Sequence, residues 1–138
     1  MKKFNAFLKI AFAFLFACVI SITFMVEQAM ATGYFSRNCS EVDIFNSYLI
    51  TTCTKDDNTD QTNFLDLDEY IGVSDNGQLT WESSNLSKSC KDLGLGQLLN
   101  RDYVLNAKCL TKDGTYVQTD INLDEHFTNI NGKLKFES

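Results

Sequence analysis

The sequence contains no proline and only one histidine among its 138 residues. Proline interrupts strands because it cannot donate a ladder hydrogen bond, so its absence favours a chain built largely from β-strands. No serine nucleophile motif accompanies His126, which argues against a Ser–His–Asp hydrolase. The glycine-rich segment Gly94–Gln97 is too short for a phosphate-binding loop and is not followed by Lys-Ser or Lys-Thr.

The only long hydrophobic run lies at the N terminus. Residues 1–9 are basic, Ile10–Val26 carries no charge, and a small-x-small cleavage pattern ends at Ala31. The uncharged run is at the lower limit for a membrane span, so a cleaved signal peptide is favoured over a retained anchor. A lipoprotein-type box at Leu15–Cys18 is disfavoured by the bulky Phe16 within it. We predict cleavage after Ala31 and a secreted or periplasmic domain over residues 32–138.

Basic residues are scarce: 12 oppose 18 acidic residues, for a net charge of −6. Removal of the predicted signal peptide takes away three lysines and one glutamate and leaves a net charge of −8. An acidic surface repels phosphate backbones and anionic lipid surfaces. We therefore expect neither nucleic acid nor, after signal removal, a membrane as a partner.

Four of the five cysteines lie in the predicted mature domain, at Cys39, Cys53, Cys90 and Cys109. An even number in a small exported domain indicates disulfides, and four cysteines allow three pairings. Zinc is disfavoured because no pair has the close spacing of a zinc knuckle and His126 is distant in sequence.

Much of the mature chain consists of two similar sequence segments. Cys53 and Cys109 are 56 positions apart, as are Leu67 and Leu123. "FSRNCS" corresponds to "LSKSCK", and "LDEYIGVSDNGQLTW" corresponds to "LDEHFTNINGKLKF". We align "CTKDD" with "CLTKDG", with one extra residue in the second copy. This pattern predicts one domain of two tandem repeats, about 32–83 and 84–138, and favours one disulfide within each repeat.

Strand signals dominate each repeat. "SYLITTCT", "RDYVLNAKC" and "TYVQTDINL" combine β-branched and aromatic residues with partial alternation. Asn76-Gly77 and Asn131-Gly132 each predict a β-hairpin. "SSNLSKSC" begins with good N-cap residues and predicts a one-turn helix, while "LDEY" and "LDEH" indicate short helical turns.

Two groups of acidic residues suggest chemistry but have simpler interpretations. Asp56–Gln61 resembles the start of a calcium loop, yet Gln61 and Leu67 occupy its glycine and bidentate glutamate positions, which favours a solvated turn. A second group could supply a glycosidase carboxylate pair. Its duplication instead indicates a capping role, and His126 is interpreted as structural, at the junction of the repeats. The second group comprises Asp66, Asp68, Glu69, Asp124 and Glu125.

Three segments carry a resemblance to a known family: "GYFSRNCS", "GQLTWESSNLSKSC" and "INLDEHFTNINGKLKFE". Together with the order of the cysteines, they resemble the cyanovirin-N family of lectins over the whole mature chain. The resemblance implies a mostly β, elongated fold of two pseudo-symmetric repeats, each a three-stranded sheet plus a β-hairpin, which exchange elements. It also implies the disulfides Cys39–Cys53 and Cys90–Cys109.

The function that the resemblance implies is binding of α1→2-linked mannose on high-mannose glycans, without catalysis, metal or cofactor. It places two sugar sites at opposite ends of the molecule. The termini site would comprise Gly33, Tyr34, Arg37, Asn38, Thr54, Asp56, Asn129, Ile130 and Asn131. The second-half site would comprise Ser74, Asp75, Asn76, Ser84, Asn85, Ser89, Thr111 and Lys112.

Several residues depart from the family's pattern. Tyr34 replaces a familiar lysine, Thr54 an acid and Asp56 a hydroxyl residue, so the second-half site is expected to be the better preserved. In that site Lys112 stands where an arginine is familiar, and the long segment between Cys90 and Cys109 is expected to reshape its rim. The hinge proline expected in Trp81–Asn85 is absent, which favours a monomer over a domain-swapped dimer. The alternatives are a β scaffold for protein or surface interaction that does not bind sugar and, more distantly, a secreted hydrolase.

Overall fold

The computed structural model describes residues 33–138, so the predicted signal peptide and its cleavage site lie outside the described residues. Three single-turn 3₁₀ helices occur at Phe35–Arg37, Leu67–Glu69 and Leu123–Glu125, and α1 is the one-turn helix Leu86–Ser89. The strands are β1 (Cys39–Phe45), β2 (Tyr48–Thr54), β3 (Asp60–Asp66), β4 (Ile71–Val73), β5 (Leu79–Trp81), β6 (Cys90–Gln97), β7 (Tyr103–Leu110), β8 (Tyr116–Asn122), β9 (Phe127–Ile130) and β10 (Lys133–Phe136).

Each repeat contributes one three-stranded antiparallel sheet, β1–β2–β3 or β6–β7–β8. Cys39 lies directly opposite Cys53 across β1 and β2, and Cys90 lies opposite Cys109 across β6 and β7. Both pairs form disulfides, with S–S distances of 2.07 and 2.03 Å. The predicted pairing within each repeat is therefore confirmed.

The hairpins β4–β5 and β9–β10 pack against the sheet of the other repeat. The Asn63 side chain on β3 accepts a hydrogen bond from the Leu134 N–H (3.0 Å) and donates one to the Gly132 carbonyl (2.8 Å). At the equivalent position on β8, Thr119 Oγ1 accepts from the Leu79 N–H (3.2 Å). The sheet-plus-hairpin repeats and their exchange of elements are thus confirmed.

The two Asn-Gly dipeptides form hairpins as predicted, but with different turns. Asn131 and Gly132 both have positive φ, 50° and 84°, as a two-residue type I′ hairpin requires. In the first hairpin Gly77 has a φ of 80°, Asn76 has no positive φ, and the Ser74 N–H donates to the Gln78 carbonyl (2.9 Å). The first hairpin loop is therefore longer, and the extra residue of "GVSDNG" lies within it.

The predicted insertion after the second cysteine of the second repeat is wrong. The Lys55 N–H donates to the Thr59 carbonyl (2.7 Å), and the Thr111 N–H donates in the same way to the Thr115 carbonyl (2.8 Å). Strand pairing keeps equivalent residues of the two repeats at a constant separation in sequence throughout this region. The two turns therefore have equal length. Asp56 and Lys112 consequently occupy equivalent backbone positions.

The hydrophobic core follows the sequence repeat. Its fully buried side chains form pairs from the two repeats, and each contributes about 1.5–3 kcal/mol by leaving water. The pairs are Phe35 and Leu86, Leu49 and Leu105, Leu67 and Leu123, and Ile71 and Phe127.

His126 lies in an aromatic cluster where the repeats meet. Its ring centroid is 4.8 Å from that of Trp81 and 5.3 Å from that of Phe136, and Nδ1 lies 2.7 Å from the Glu137 carbonyl oxygen. This is the structural position that the sequence indicated. Within residues 33–138, no helix has the length and apolar character needed to cross a bilayer. Those residues also bring together no group of three His, Cys, Asp or Glu side chains suited to a metal ion.

Candidate functional sites

Hydrogen bonds gather most of the predicted termini site at the end of β2. The Asn129 amide donates to the Thr54 carbonyl (2.8 Å), and the Asp56 N–H donates to Asn131 Oδ1 (2.9 Å). The Thr54 N–H donates to the Asn38 carbonyl (3.0 Å). The exchanged hairpin thus places Asn129 and Asn131 beside a turn of the first repeat.

Tyr34 and its neighbours enter this site from the N-terminal side. The Tyr34 backbone is left-handed, with φ of 60°, and its N–H donates to the Asp124 carbonyl (2.8 Å). A Cβ on Gly33 would lie 2.7 Å from the same carbonyl oxygen, so only glycine fits there. Tyr34 is 48% exposed, and Ile130 is similarly exposed on the hairpin.

The second-half site has the same backbone plan. The Lys112 N–H donates to the Asp75 carbonyl (2.8 Å), as the equivalent Asp56 N–H does to Asn131. Gly77 packs so closely that a Cβ there would lie 3.1 Å from Thr111 Cγ2. The loop Ser74–Asn76 and the segment Thr111–Lys112 are therefore brought together as predicted.

The remaining predicted residues of the second-half site lie beside β4, not in the loop itself. Asn85 is left-handed like Tyr34, with φ of 72°, and its side-chain amide donates to Ser84 Oγ (3.2 Å). The Ser84 carbonyl packs tightly against Gly72 on β4, the strand that leads into the loop. Ser89 is the last residue of α1 and is partly buried.

The predicted one-turn helix α1 is present with Asn85 as its N-cap residue, but the Asn85 side chain makes no capping hydrogen bond. Asp68 supplies that cap instead: its carboxylate accepts hydrogen bonds from the Ser87 N–H (2.7 Å) and the Ser87 hydroxyl. The Asn85 amide, which donates to Ser84 Oγ, remains at the surface.

The duplicated acids cap backbone groups rather than forming a free carboxylate pair. Asp124 accepts hydrogen bonds from the Ser36 N–H (2.9 Å) and the Tyr103 N–H (2.7 Å). Asp66 accepts from the Asp68 N–H (3.1 Å) and the Ser47 hydroxyl (3.0 Å). The hydrolase alternative thereby loses its candidate pair. The remaining acids of the group, Glu69 and Glu125, are exposed.

Two acids keep the turns beside the sites negatively charged. The Thr111 hydroxyl, followed by the Thr115 hydroxyl and N–H, lowers the pKa of Asp113 below 3.8. The Thr59 hydroxyl and N–H lower the pKa of Asp57 in the same way. Asp57 lies within Asp56–Gln61, which forms most of the turn between β2 and β3 and the first two residues of β3 rather than a calcium loop.

Sequence reasoning missed three residues that support the sites. Asn63 and Thr119 hold the exchanged hairpins, and their signal was a polar residue at an inward-facing strand position. Asp102 lies 3.0 Å from Arg37 through an Oδ1–Nη2 ion pair. The turn Leu98–Asp102 was expected at the rim of the second-half site, but it contacts the termini site, because it precedes β7 whereas Thr111 follows β7. The reason is that the turn between the first two strands of the second repeat packs against the start of the first repeat.

Two sheets with exchanged hairpins define a β protein of tandem pseudo-symmetric repeats. A sequence model of the CVNH domain matches residues 35–135, so the chain belongs to the CVNH domain family. The fold is similar to the Gibberella zeae CVNH structure, with a TM-score of 0.69 and 27% identity over 75% of this chain and 97% of that one. It is also similar to T. borchii CVNH, with a TM-score of 0.64 and 29% identity over 75% and 98% of the two chains.

A third similar structure is a complex of Microvirin with mannobiose. Its TM-score is 0.68, and its sequence is 26% identical over 76% of this chain and 99% of that one. The family resemblance seen in the sequence is thus confirmed, together with the fold that it implied.

Proposed function

We propose that this protein is a lectin that binds α1→2-linked mannose of high-mannose glycans through the termini site and the second-half site. The observation that carries the proposal is the repeated backbone plan. At two equivalent places, a hydrogen bond joins a hairpin loop to the turn between two strands of a sheet. Support also comes from Microvirin, a similar protein that forms a complex with mannobiose.

The chemistry of the sites suits sugar hydroxyls, which require both donors and acceptors at defined positions. In the second-half site the backbone is already paired, while the side chains of Asp75, Asn76, Asn85 and Lys112 are exposed to solvent. Each neutral hydrogen bond contributes only about 0.5–1.5 kcal/mol net, so one small site binds weakly. Two sites on one rigid body would gain affinity for branched glycans through avidity.

A glycan array and an NMR titration of residues 32–138 with α1→2-mannobiose test the proposal. The amides of Gly77 and Gly132 report on the second-half and termini sites, respectively. We expect both amides to shift and the array to favour high-mannose glycans. Absence of binding to high-mannose probes and to mannobiose would contradict the proposal.

The double substitution Asn85→Ala and Lys112→Ala separates the two sites. It should abolish the response of Gly77 and leave that of Gly132. A matched control is Asn46→Ala with Lys135→Ala, because Asn46 is also exposed and left-handed, with φ of 54°. The control should bind like the wild type. If the site variant also binds like the wild type, the assignment of the second-half site is wrong.

We further propose that the chain is exported, with cleavage after Ala31, to the cell exterior or a periplasm. Two disulfides support this, since they persist in oxidising compartments. Intact mass of the protein recovered from producing cells should give Thr32 as the first residue. A mass that includes residues 1–31 would rule out cleavage at this position.

The exported domain is proposed to be a monomer. The segment Trp81–Asn85 that joins the repeats lacks proline, and the excess of acidic residues opposes close association of copies. Light scattering after size-exclusion chromatography should give the mass of one chain at micromolar concentration. A dimer mass would instead favour exchange of repeats between chains.

A protein-interaction scaffold remains the second candidate, favoured by aromatic residues on the outer face of the first sheet. Phe45 lies opposite Tyr48 in the strand pairing, both are exposed, and Phe64 on β3 is exposed as well. The second repeat has polar Asn106 and Asp120 paired across the equivalent strands. A folded protein that binds no glycan on the array would favour this candidate.

A further inference from the structure

The turn between β6 and β7 brings a buried carboxylate to the termini site. Asp102 Oδ1 lies 3.0 Å from Arg37 Nη2, and the two side chains are 6% and 33% exposed, respectively. The other carboxylate oxygen accepts hydrogen bonds from the side-chain amides of Asn122 (3.0 Å) and Asn100 (3.3 Å). The carboxylate is therefore held by its own repeat before it meets the guanidinium of the other repeat.

Arg37 connects the Asp102 carboxylate to the Tyr34 ring. Its Nη1 donates to Ser36 Oγ (2.6 Å), and its Cζ lies over the Tyr34 ring, 5.3 Å from the centroid. A guanidinium at this distance is attracted to an aromatic face, and its planar fork can meet two acceptors at once. One face of the ring is thus covered, yet Tyr34 as a residue remains 48% exposed and accessible to a ligand.

The equivalent place beside the first repeat's turn is open. There the short turn Asn46–Ser47 and α1 border a groove of about 650 Å³ that is lined by Tyr48, Ser87 and Leu93, among others. Lys88 occupies the position of Arg37, and within the described residues it forms no ion pair with a carboxylate. The longer turn Leu98–Asp102 therefore gives the termini site a support that its counterpart lacks.

We propose that Asp102 is a positioning residue for the termini site, holding Arg37 and, through it, the Tyr34 ring against which a saccharide stacks. This inference rests on the proposed lectin function. An aromatic ring offers a flat apolar surface to the C–H face of a sugar, and the remaining guanidinium N–H groups can donate to its hydroxyls. The second repeat thereby contributes to what the first repeat's site recognises.

The test is Asp102→Asn in the domain of residues 32–138, titrated with α1→2-mannobiose while the Gly132 and Gly77 amides are followed by NMR. We expect the Kd at the termini site to rise about five- to tenfold, the size of a lost cation–π and ion-pair contact. The Kd at the second-half site should not change. Asp92→Asn is the matched control, because Asp92 is an exposed acid of the same repeat, 3.9 Å from Lys108. It should leave both sites unchanged.

A double-substitution cycle distinguishes positioning from general stability. In an Arg37→Gln background, Asp102→Asn should weaken binding no further, because its effect passes through Arg37. If Asp102→Asn does not fold, Asp102→Glu gives the same test, since it keeps the charge but displaces the carboxylate from Arg37 and leaves the guanidinium intact. It should produce the same selective loss at Gly132.

Two results would overturn the inference about Asp102 without refuting the lectin proposal. One is an unchanged Kd at Gly132 in Asp102→Asn while both glycines still respond to sugar, which would leave the lectin proposal intact. The other is an unchanged set of Tyr34 ring-proton shifts in ligand-free Asp102→Asn, which would refute positioning whether or not sugar binds. A wild type in which neither glycine responds would refute the lectin function itself, and with it this role for Asp102.

Discussion

Replacing Asp124 with alanine should destabilise the fold far more than the same change at the equivalent Asp68. Both carboxylates cap the start of the other repeat, but Asp124 is 0% exposed and Asp68 is only partly buried. Asp124 accepts from the N–H groups of Ser36 (2.9 Å) and Tyr103 (2.7 Å). Asp68 accepts from the N–H (2.7 Å) and the hydroxyl of Ser87.

The magnitudes follow from burial. A hydrogen bond to a charged group contributes about 1.5–3 kcal/mol, and a buried donor left without a partner loses its hydration as well. Asp124→Ala leaves two such donors, so we expect a loss of about 3–5 kcal/mol in the free energy of unfolding. At Asp68 water can replace the carboxylate, so the expected loss is about 1–2 kcal/mol.

Urea unfolding with the disulfides intact, followed by the fluorescence of Trp81, measures both losses by linear extrapolation. The exposed neighbours Glu125→Ala and Glu69→Ala serve as controls and should stay within about 0.5 kcal/mol of the wild type. Equal losses for Asp124→Ala and Asp68→Ala, or a loss below about 1 kcal/mol for Asp124→Ala, would refute the argument from burial.

Two further predictions concern the turns beside the second-half site. Thr111→Val should raise the pKa of Asp113 toward 3.8 in an NMR titration while Asp57 keeps its lowered pKa, since the Thr111 hydroxyl is the main cause of the shift. Because the pKa of Asp113 is depressed in the folded state, the stabilisation by this contact is present at pH above the unfolded-state pKa. It is lost as the pH falls through the folded-state pKa. An unchanged pKa of Asp113 in Thr111→Val would contradict the role of the Thr111 hydroxyl. Gly77→Ala should cost about 2–3 kcal/mol in urea unfolding but Gly114→Ala only about 1–2 kcal/mol, because both have left-handed backbones but only Gly77 has a neighbour 2.5 Å from the new Cβ. Equal costs would mean that the neighbouring side chain moves aside freely.

The fold could be predicted where each repeat carries its own local signal. Cysteines and leucines at constant separation indicated two units, and each Asn-Gly pair marked a hairpin. The turn type could not be predicted from the dipeptide. It depends on which residues pair across the strands, Val73 with Leu79 in one hairpin and Ile130 with Lys133 in the other, and tertiary packing sets that register.

Parts of the candidate sites were hidden for the same reason. Alignment by residue similarity placed Thr54 opposite Thr111, whereas strand pairing makes Lys55 the equivalent of Thr111. Arg37 and Asp102 lie in different repeats, and only the packing of one repeat's turn on the start of the other brings them together. No local pattern could indicate that contact, since neither residue has an unusual sequence neighbourhood.

The equivalence of Asp56 and Lys112 explains how the two sites can differ without cost to the fold. In both, the backbone N–H makes the structural hydrogen bond, to Asn131 Oδ1 in one site and to the Asp75 carbonyl in the other. The scaffold therefore does not depend on the side chain, which is an acid in the termini site and an exposed base in the second-half site. Opposite charges at one backbone position will favour different arrangements of hydroxyl donors and acceptors. Because the folding contact is separated from the side chain, the proposed lectin function predicts different sugar preferences at two sites of the same backbone architecture.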